Sequence, residues 1–252
     1  MDHRIVGTTL PVLEMTLAAN ESIVSEPGEL SWMSANIGLR TSTAMAGQSG
    51  VFGVLKRAVG GGSLFMTEYT AQGGSGMVAF AAKIPGQILD IDVAPGQGYM
   101  CHKHGFVCAT PGIELTIGFQ QSLGAGVFGG NGFILQKIGG TAKAWVELGG
   151  EIVVYDLQPN QQLLVHPGHV GMFQEQVRFE ITMLRGIKNI LFGSDGLFLA
   201  KLTGPGRVWL QSMTLANLAH AIAGYLGRES TTGAAVGGGV AGAVLKGLLD
   251  QS

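Results

Sequence analysis

Residues 132–148 read Gly132-Phe133-Ile134-Leu135-Gln136-Lys137-Ile138, then Gly139-Gly140-Thr141, then Ala142-Lys143-Ala144-Trp145-Val146-Glu147-Leu148. Apolar residues alternate with polar ones on both sides of a glycine turn, which is the period of a half-buried β-strand. Glycines at such a turn supply the positive φ that a tight reversal needs. The stretch predicts two strands joined as a hairpin. The same arrangement returns at Leu197-Phe198-Leu199-Ala200-Lys201-Leu202, Gly204-Pro205-Gly206 and Arg207-Val208-Trp209-Leu210-Gln211, predicting the same hairpin a second time.

Working outward, ordered landmarks recur three times. A turn glycine stands at Gly28, Gly105 and Gly168, and a Phe-Gly pair at Phe52-Gly53, Phe128-Gly129 and Phe192-Gly193. After each pair comes a lysine followed eight residues later by a large apolar residue: Lys56 and Leu64, Lys137 and Trp145, Lys201 and Trp209. Glycine turns lie between them, with Gly60-Gly61-Gly62 in the first copy. The later copies also share Asp92, Pro95 and His102 with Asp156, Pro159 and His166, each at an offset of 64. The expected organisation is one all-β domain over 1–226, a sandwich of about 20 short strands. It comprises three pseudo-repeats at about 10–86, 87–151 and 152–226 around a pseudo-threefold axis. Units of this size are marginal alone and bury their faces against one another.

Helix is expected in two places. Residues 51–59 suit a short turn of helix, and Thr214 to Tyr225 carries Leu215, Leu218, Ala219 and Ile222 at helical spacing with Thr214 as the cap and Gly227 as the stop. Beyond lies a tail, 227–252, apolar but rich in glycine. Its apolar run of about 16 residues, interrupted by Lys246, falls short of a bilayer span. It is expected to order only by packing on the β body or across a subunit interface, with membrane contact as a weaker alternative.

Composition narrows the function classes. Glycine supplies 42 of 252 residues against a usual share of roughly 7%, while charged residues are 13% against roughly 25%. With 46% hydrophobic residues the chain fills a core, which excludes intrinsic disorder. Fifteen basic and seventeen acidic residues give a net charge of −2, so no nucleic-acid footprint is visible. Cys101 and Cys108 form no disulfide framework, zinc ribbon or CxxC motif, which fits a reducing setting. No signal-peptide pattern opens the chain, so a soluble protein is expected.

The segments Ser25-Glu26-Pro27-Gly28-Glu29-Leu30-Ser31-Trp32-Met33, Leu55-Lys56-Arg57, Gly62-Ser63-Leu64-Phe65-Met66-Thr67 and Pro85-Gly86-Gln87-Ile88 follow in order. Together with Phe128-Gly129-Gly130 and Gly204 to Ser212, they make the chain resemble the family named for altered inheritance of mitochondria. The resemblance runs from about Met15 to Leu226. It implies an all-β, TRAP-like fold, after the tryptophan RNA-binding attenuation protein, grouped with double-stranded β-helix sandwiches. It implies no reaction and offers no catalytic residues to carry over; no cofactor is expected, and cofactor-binding residues are not identified. Fungal members are linked with inner-membrane organisation; lacking their Arg-rich presequence, this chain is expected to be a cytoplasmic bacterial type.

The cluster Cys101-His102-Lys103-His104 with Cys108 holds ligand-type side chains. On a strand His102 and His104 share a face, as the two imidazoles of a cupin metal site do. The next carboxylate is Glu114, ten residues on, which spoils a cupin spacing. His166 occupies the slot of His102, with His169 close by, whereas the first copy has Ser25 there. Local hydrogen bonding of these histidines is therefore the preferred reading over a metal held by His102, His104 and His166, and neither cysteine shows an acid partner for nucleophilic work. Asp90, Asp92, Glu147, Glu151 and Asp156 read as solvated or turn-supporting carboxylates with no general acid and base pair. The glycine loops lack the strand–loop–helix order and GKS or GKT of a phosphate loop. Trp145 and Trp209 hold one repeat position and read as a core layer.

Three functions follow: a non-enzymatic, homo-oligomeric binding or scaffold protein; a metal-dependent cupin-like enzyme using His102, His104 and His166; and a small-molecule or RNA sensor by analogy with the attenuation protein. The first is favoured by the low charge, the exposed glycine turns and the apolar tail, and the sensor reading is disfavoured by the net charge of −2 and by resting on fold analogy.

Overall fold

The computed structural model describes residues 1–42, 66–121, 132–184 and 197–225. The three Phe-Gly pairs, Gly60 to Gly62, the helix expected at 51–59 and the tail beyond 226 lie outside the described residues. Met1–Leu218 form one compact unit, and a second begins at Ala219.

Nineteen strands are described. A leading strand, β1 (Asp2–Val6), precedes three sets of six. The first set is β2 (Val12–Leu17), β3 (Ser22–Ser25), β4 (Trp32–Met33), β5 (Ile37–Ser42), β6 (Met66–Ala71) and β7 (Gly76–Ala81). The second is β8 (Gly86–Val93), β9 (Tyr99–His102), β10 (Phe106–Ala109), β11 (Ile113–Gln121), β12 (Phe133–Gly140) and β13 (Ala142–Gly149). The third is β14 (Ile152–Leu157), β15 (Gln162–Val165), β16 (Val170–Gln174), β17 (Arg178–Leu184), β18 (Leu197–Thr203) and β19 (Gly206–Gln211), after which helix α1 spans Leu215–Tyr225. The chain is thus all-β with several antiparallel sheets and a small C-terminal helix. Thr214 Oγ1 accepts the Asn217 amide at 3.0 Å, the expected cap. Leu215 and Ile222, on the apolar spacing of α1, are about half exposed.

Within each set the same pairings recur. The first strand and the third flank the sixth (β2, β4 on β7; β8, β10 on β13; β14, β16 on β19). The second and the fourth flank the fifth (β3, β5 on β6; β9, β11 on β12; β15, β17 on β18). Consecutive sets are then joined: β10 pairs with β3, and β16 with β9. Two six-stranded sheets result, β5-β6-β3-β10-β13-β8 and β11-β12-β9-β16-β19-β14, each half from one set and half from the next. The remaining halves form the sheets β1-β2-β7-β4 and β15-β18-β17.

This topology corrects the two hairpins expected from the sequence. Both strands of each exist, but β12 and β13 belong to different sheets, as do β18 and β19. The glycine turn, with Gly140 at φ +92° and Gly206 at φ +139°, carries the chain from one sheet to another instead of closing a hairpin. The fifth and sixth strands each take two other neighbours, so they have no edge left to offer one another.

Burial follows the pairing. Leu13, Met15 and Leu17 point inward at every second residue of β2, with Glu14 and Thr16 between them. They pack with Phe80 of their own set and with Ile88, Val107, Cys108 and Trp145 of the second. A middle cluster joins Val24 and Met66 to Cys101, Phe106, Val146 and Met172, drawing on all three sets. The third cluster joins Phe133 and Leu135 to Val170, Phe173, Ala200 and Val208. Each cluster thus includes buried residues from more than one set.

Candidate functional site

The residues with chemical potential gather where β9 ends. β9 lies between β12 and β16, with Cys101 opposite Gln136 on one side and Met172 on the other. The strand stops at His102, and the chain turns through Lys103 and His104, with the Gly105 amide donating to the His102 carbonyl at 2.8 Å. A Cβ at Gly105 would collide with Cys101 Sγ and come within 2.9 Å of His102 Nε2, so glycine is required here by close approach. Because His104 sits in the turn, the paired presentation of His102 and His104 expected of a continuous strand is not formed.

His102 Nε2 lies 3.1 Å from the carbonyl oxygen of Glu147. A carbonyl only accepts, so Nε2 carries the proton and donates. Burial drives the imidazole pKa down to about 4, only partly offset by that hydrogen bond, and the ring is neutral at pH 7. His104 is exposed as a residue, yet partial burial of its ring and then the nearby Lys103 and Lys83 lower its pKa as well. Both thiols are wholly buried; burial pushes Cys101 up to about 12 and Cys108 well above its ordinary value, so neither supplies a thiolate.

The corresponding place in the third set holds His166, just after β15. Its ring meets His169 edge-on at 5.9 Å, and partial burial lowers its pKa. His169 Nδ1 lies 2.8 Å from the Gln211 carbonyl oxygen and donates to it. In the first set Ser25 is fully buried and donates to the Glu26 carbonyl at 3.1 Å. Ser25, His102 and His166 therefore end, or directly follow, the second strand of each set. Among the described residues no three His, Cys, Asp or Glu side chains come together as a group able to hold a metal ion.

A buried polar seam accompanies these histidines, and the sequence reading missed it. Glu147, expected on a solvated face or at a turn, is 3% exposed, and its Oε1 accepts the amides of Lys83 and Ile84 at 2.8 and 3.0 Å. At the same offset of 64, Gln211 accepts the Gly149 amide at 2.9 Å and donates to the Gly168 carbonyl at 2.9 Å. Glu147 thus ties β13 to the connection before β8, and Gln211 ties β19 to the end of β13 and to the segment after β15. Gln136, 2% exposed, donates from Nε2 to both oxygens of Glu26 at 3.1 and 3.0 Å, and Lys83 Nζ pairs with Glu29 at 2.5 Å. Burial raises the pKa of Glu26, Glu29 and Glu147. The available signal was the offset itself, which sets Glu147 against an uncharged Gln211, and the apolar run Ala144 to Leu148 around it.

The other singled-out carboxylates are on the surface. Asp90 and Asp92 pair with Lys143 at 2.6 and 3.3 Å, and Asp156 pairs with Arg207 at 2.6 Å, again at the offset of 64. The hydrogen bonds from Lys143 and Arg207 hold Asp90 and Asp156 below the usual carboxylate range. Glu151 accepts from Gln87 at 3.2 Å. The tryptophans, expected to share one core layer, differ: Trp145 is 1% exposed, whereas Trp209 is partly exposed, with Arg207 over its ring at 5.9 Å and Tyr99 edge-on. No helix among the described residues is long and apolar enough to cross a membrane.

Three linked sets of antiparallel strands, with His102, His169 and Glu147 hydrogen-bonded to backbone between them, define an all-β protein. The chain belongs to the family described as Mitochondrial biogenesis AIM24, which matches residues 3–213. That match begins before Met15 and stops before Leu226, the limits expected from the sequence. The chain is 25% identical over 228 residues to an uncharacterized protein of Streptococcus pyogenes serotype M6, covering 87% of this chain and 88% of the relative. It superposes with a TM-score of 0.70 on the crystal structure of a Streptococcus pyogenes protein at 19% identity, over 89% of this chain and 99% of that one. That likeness speaks to the fold alone.

Proposed function

We propose that this chain is a non-enzymatic binding or scaffold protein that assembles with copies of itself in the cytoplasm. The observation that carries the reading is the use of its chemical side chains. His102 and His169 bind backbone carbonyls, Glu147 binds two backbone amides, and both thiols are buried and protonated. Catalysis by acid, base or nucleophile needs such groups near water and substrate with their pKa values poised for the task. Here they are spent on holding strands together. The family description names a process and no reaction, in keeping with this reading. Sedimentation velocity over a hundredfold range of protein concentration tests it. An assembled species that persists on dilution is expected, and a single chain at every concentration would contradict it.

A further inference from the structure

The first strand of each set forms one end of its half-sheet, and the three ends are finished differently. In the first set the outer side of β2 is covered by β1, paired antiparallel from Asp2 opposite Thr16 to Val6 opposite Val12. In the second, the outer strand β8 carries Asp90 and Asp92, and Asp92 stands almost wholly in water beside Lys143. Charges on an edge strand keep other strands away. In the third, β14 ends its sheet, and no strand among the described residues pairs with its outer side. It exposes Val153, Val154 and Tyr155 at 47, 45 and 43%. It carries one acidic side chain, Asp156, against two on β8, and Asp156 pairs with Arg207 as those two pair with Lys143. β-Branched and aromatic residues on an open edge favour addition of another strand.

We infer that β14 pairs antiparallel with β14 of a second copy of this chain, joining two six-stranded sheets across a twofold axis at Val154. This assignment rests on the self-assembly proposed above and locates its contact. One feature shows that a strand fits such an edge, and a second favours a second copy as its source. The molecule itself shows, at β1 on β2, that an antiparallel strand fits the corresponding edge. The register centred on Val154 sets Val153 opposite Tyr155 and Ile152 opposite Asp156, so no like charges face each other and each aromatic ring meets a β-branched side chain. An isologous contact of this kind closes on itself and limits growth to a dimer at this edge.

The axis at Val154 makes the proposal testable by charge. Val154→Lys places two ammonium groups directly opposite, and Val154→Glu two carboxylates, at a position exposed enough for either variant to fold. Sedimentation equilibrium should show each variant dissociating at a concentration about tenfold or more above wild type. An equimolar mixture of the two should reassociate as a heterodimer. Leu39→Lys, at a comparably exposed apolar position on β5, should leave association unchanged, and thermal melts report that all three variants fold. A wild-type protein that is monomeric throughout would overturn both this assignment and the scaffold reading. An assembly that ignores Val154→Lys would overturn the β14 contact while leaving the scaffold reading in place. Dispersal by lysine without rescue in the mixture would overturn self-pairing and point to another occupant, such as the chain's residues 226–252 or β1 of a neighbour.

Discussion

His102 makes stability depend on acidity in a direction that can be worked out. In the unfolded chain its imidazole takes up a proton near pH 6.5; in the folded chain burial delays that to about pH 4. Between those values the unfolded state binds the proton and the folded state does not, so stability is lost as the pH falls from about 6.5 to about 4. A difference of about 2.5 pH units corresponds to roughly 3 kcal/mol, a substantial part of an ordinary domain's stability. Glu26, Glu29 and Glu147 act in the opposite sense. Their folded pKa values are raised, so protonation relieves a burial cost and adds stability as the pH falls toward their ordinary range. The net acid response therefore blurs His102, and a difference between proteins isolates it. The perturbation is His102→Asn, assayed by urea unfolding from pH 7.5 to pH 4. At pH 7.5 the variant should be less stable by about 1–3 kcal/mol, from the lost bond to the Glu147 carbonyl. That gap should shrink by about 3 kcal/mol by pH 4, so the two curves meet or cross. A gap that stays constant over the range, or an imidazole that titrates near pH 6.5 by NMR in the folded protein, would refute the burial argument.

Other substitutions probe the seam and the core. Glu147→Gln should be neutral or slightly stabilising at pH 7, since it keeps an acceptor for the Lys83 and Ile84 amides and removes a buried charge; Glu147→Ala, leaving both amides unpaired, should cost about 2 kcal/mol or more by urea unfolding. Gly105→Ala should cost about 1–3 kcal/mol because its Cβ collides with Cys101 and His102, whereas Gly28→Ala, with nothing near it, should cost only the strain of φ +90°. Trp145→Ala should lower stability by about 3–5 kcal/mol and Trp209→Ala by clearly less, as read from thermal and urea melts, because only the first ring is fully buried.

The strands were legible because alternation is local. Phe133, Leu135 and the residues after Thr141 carry the period of two in the sequence itself, and the glycine turns mark where the chain reverses. Which strand accepts the hydrogen bonds is not local. The partners of β12 begin at Tyr99 and Ile113, and those of β13 at Gly86 and Phe106, so a reading that looks across the nearest turn pairs the wrong strands. The offset of 64 carried more: it aligned His102 with His166 and Asp92 with Asp156, and the strands of the second set lead those of the third by about the same step, whereas the step from the first set to the second is longer and uneven. The seam stayed hidden because a glutamate in a strand looks solvated unless its partners are known. Those of Glu147 lie in the connection before β8, more than sixty residues away. His104 was misplaced by two residues of extrapolation, since the sequence does not announce that β9 stops at His102.

Native mass spectrometry of the full chain, purified without chelators, reads assembly and bound metal from one sample and tests the scaffold account most directly. The account predicts a mass that is a multiple of the 26.2 kDa chain, with no stoichiometric metal. A single-chain mass carrying one equivalent of metal, lost on His102→Ala, would contradict it.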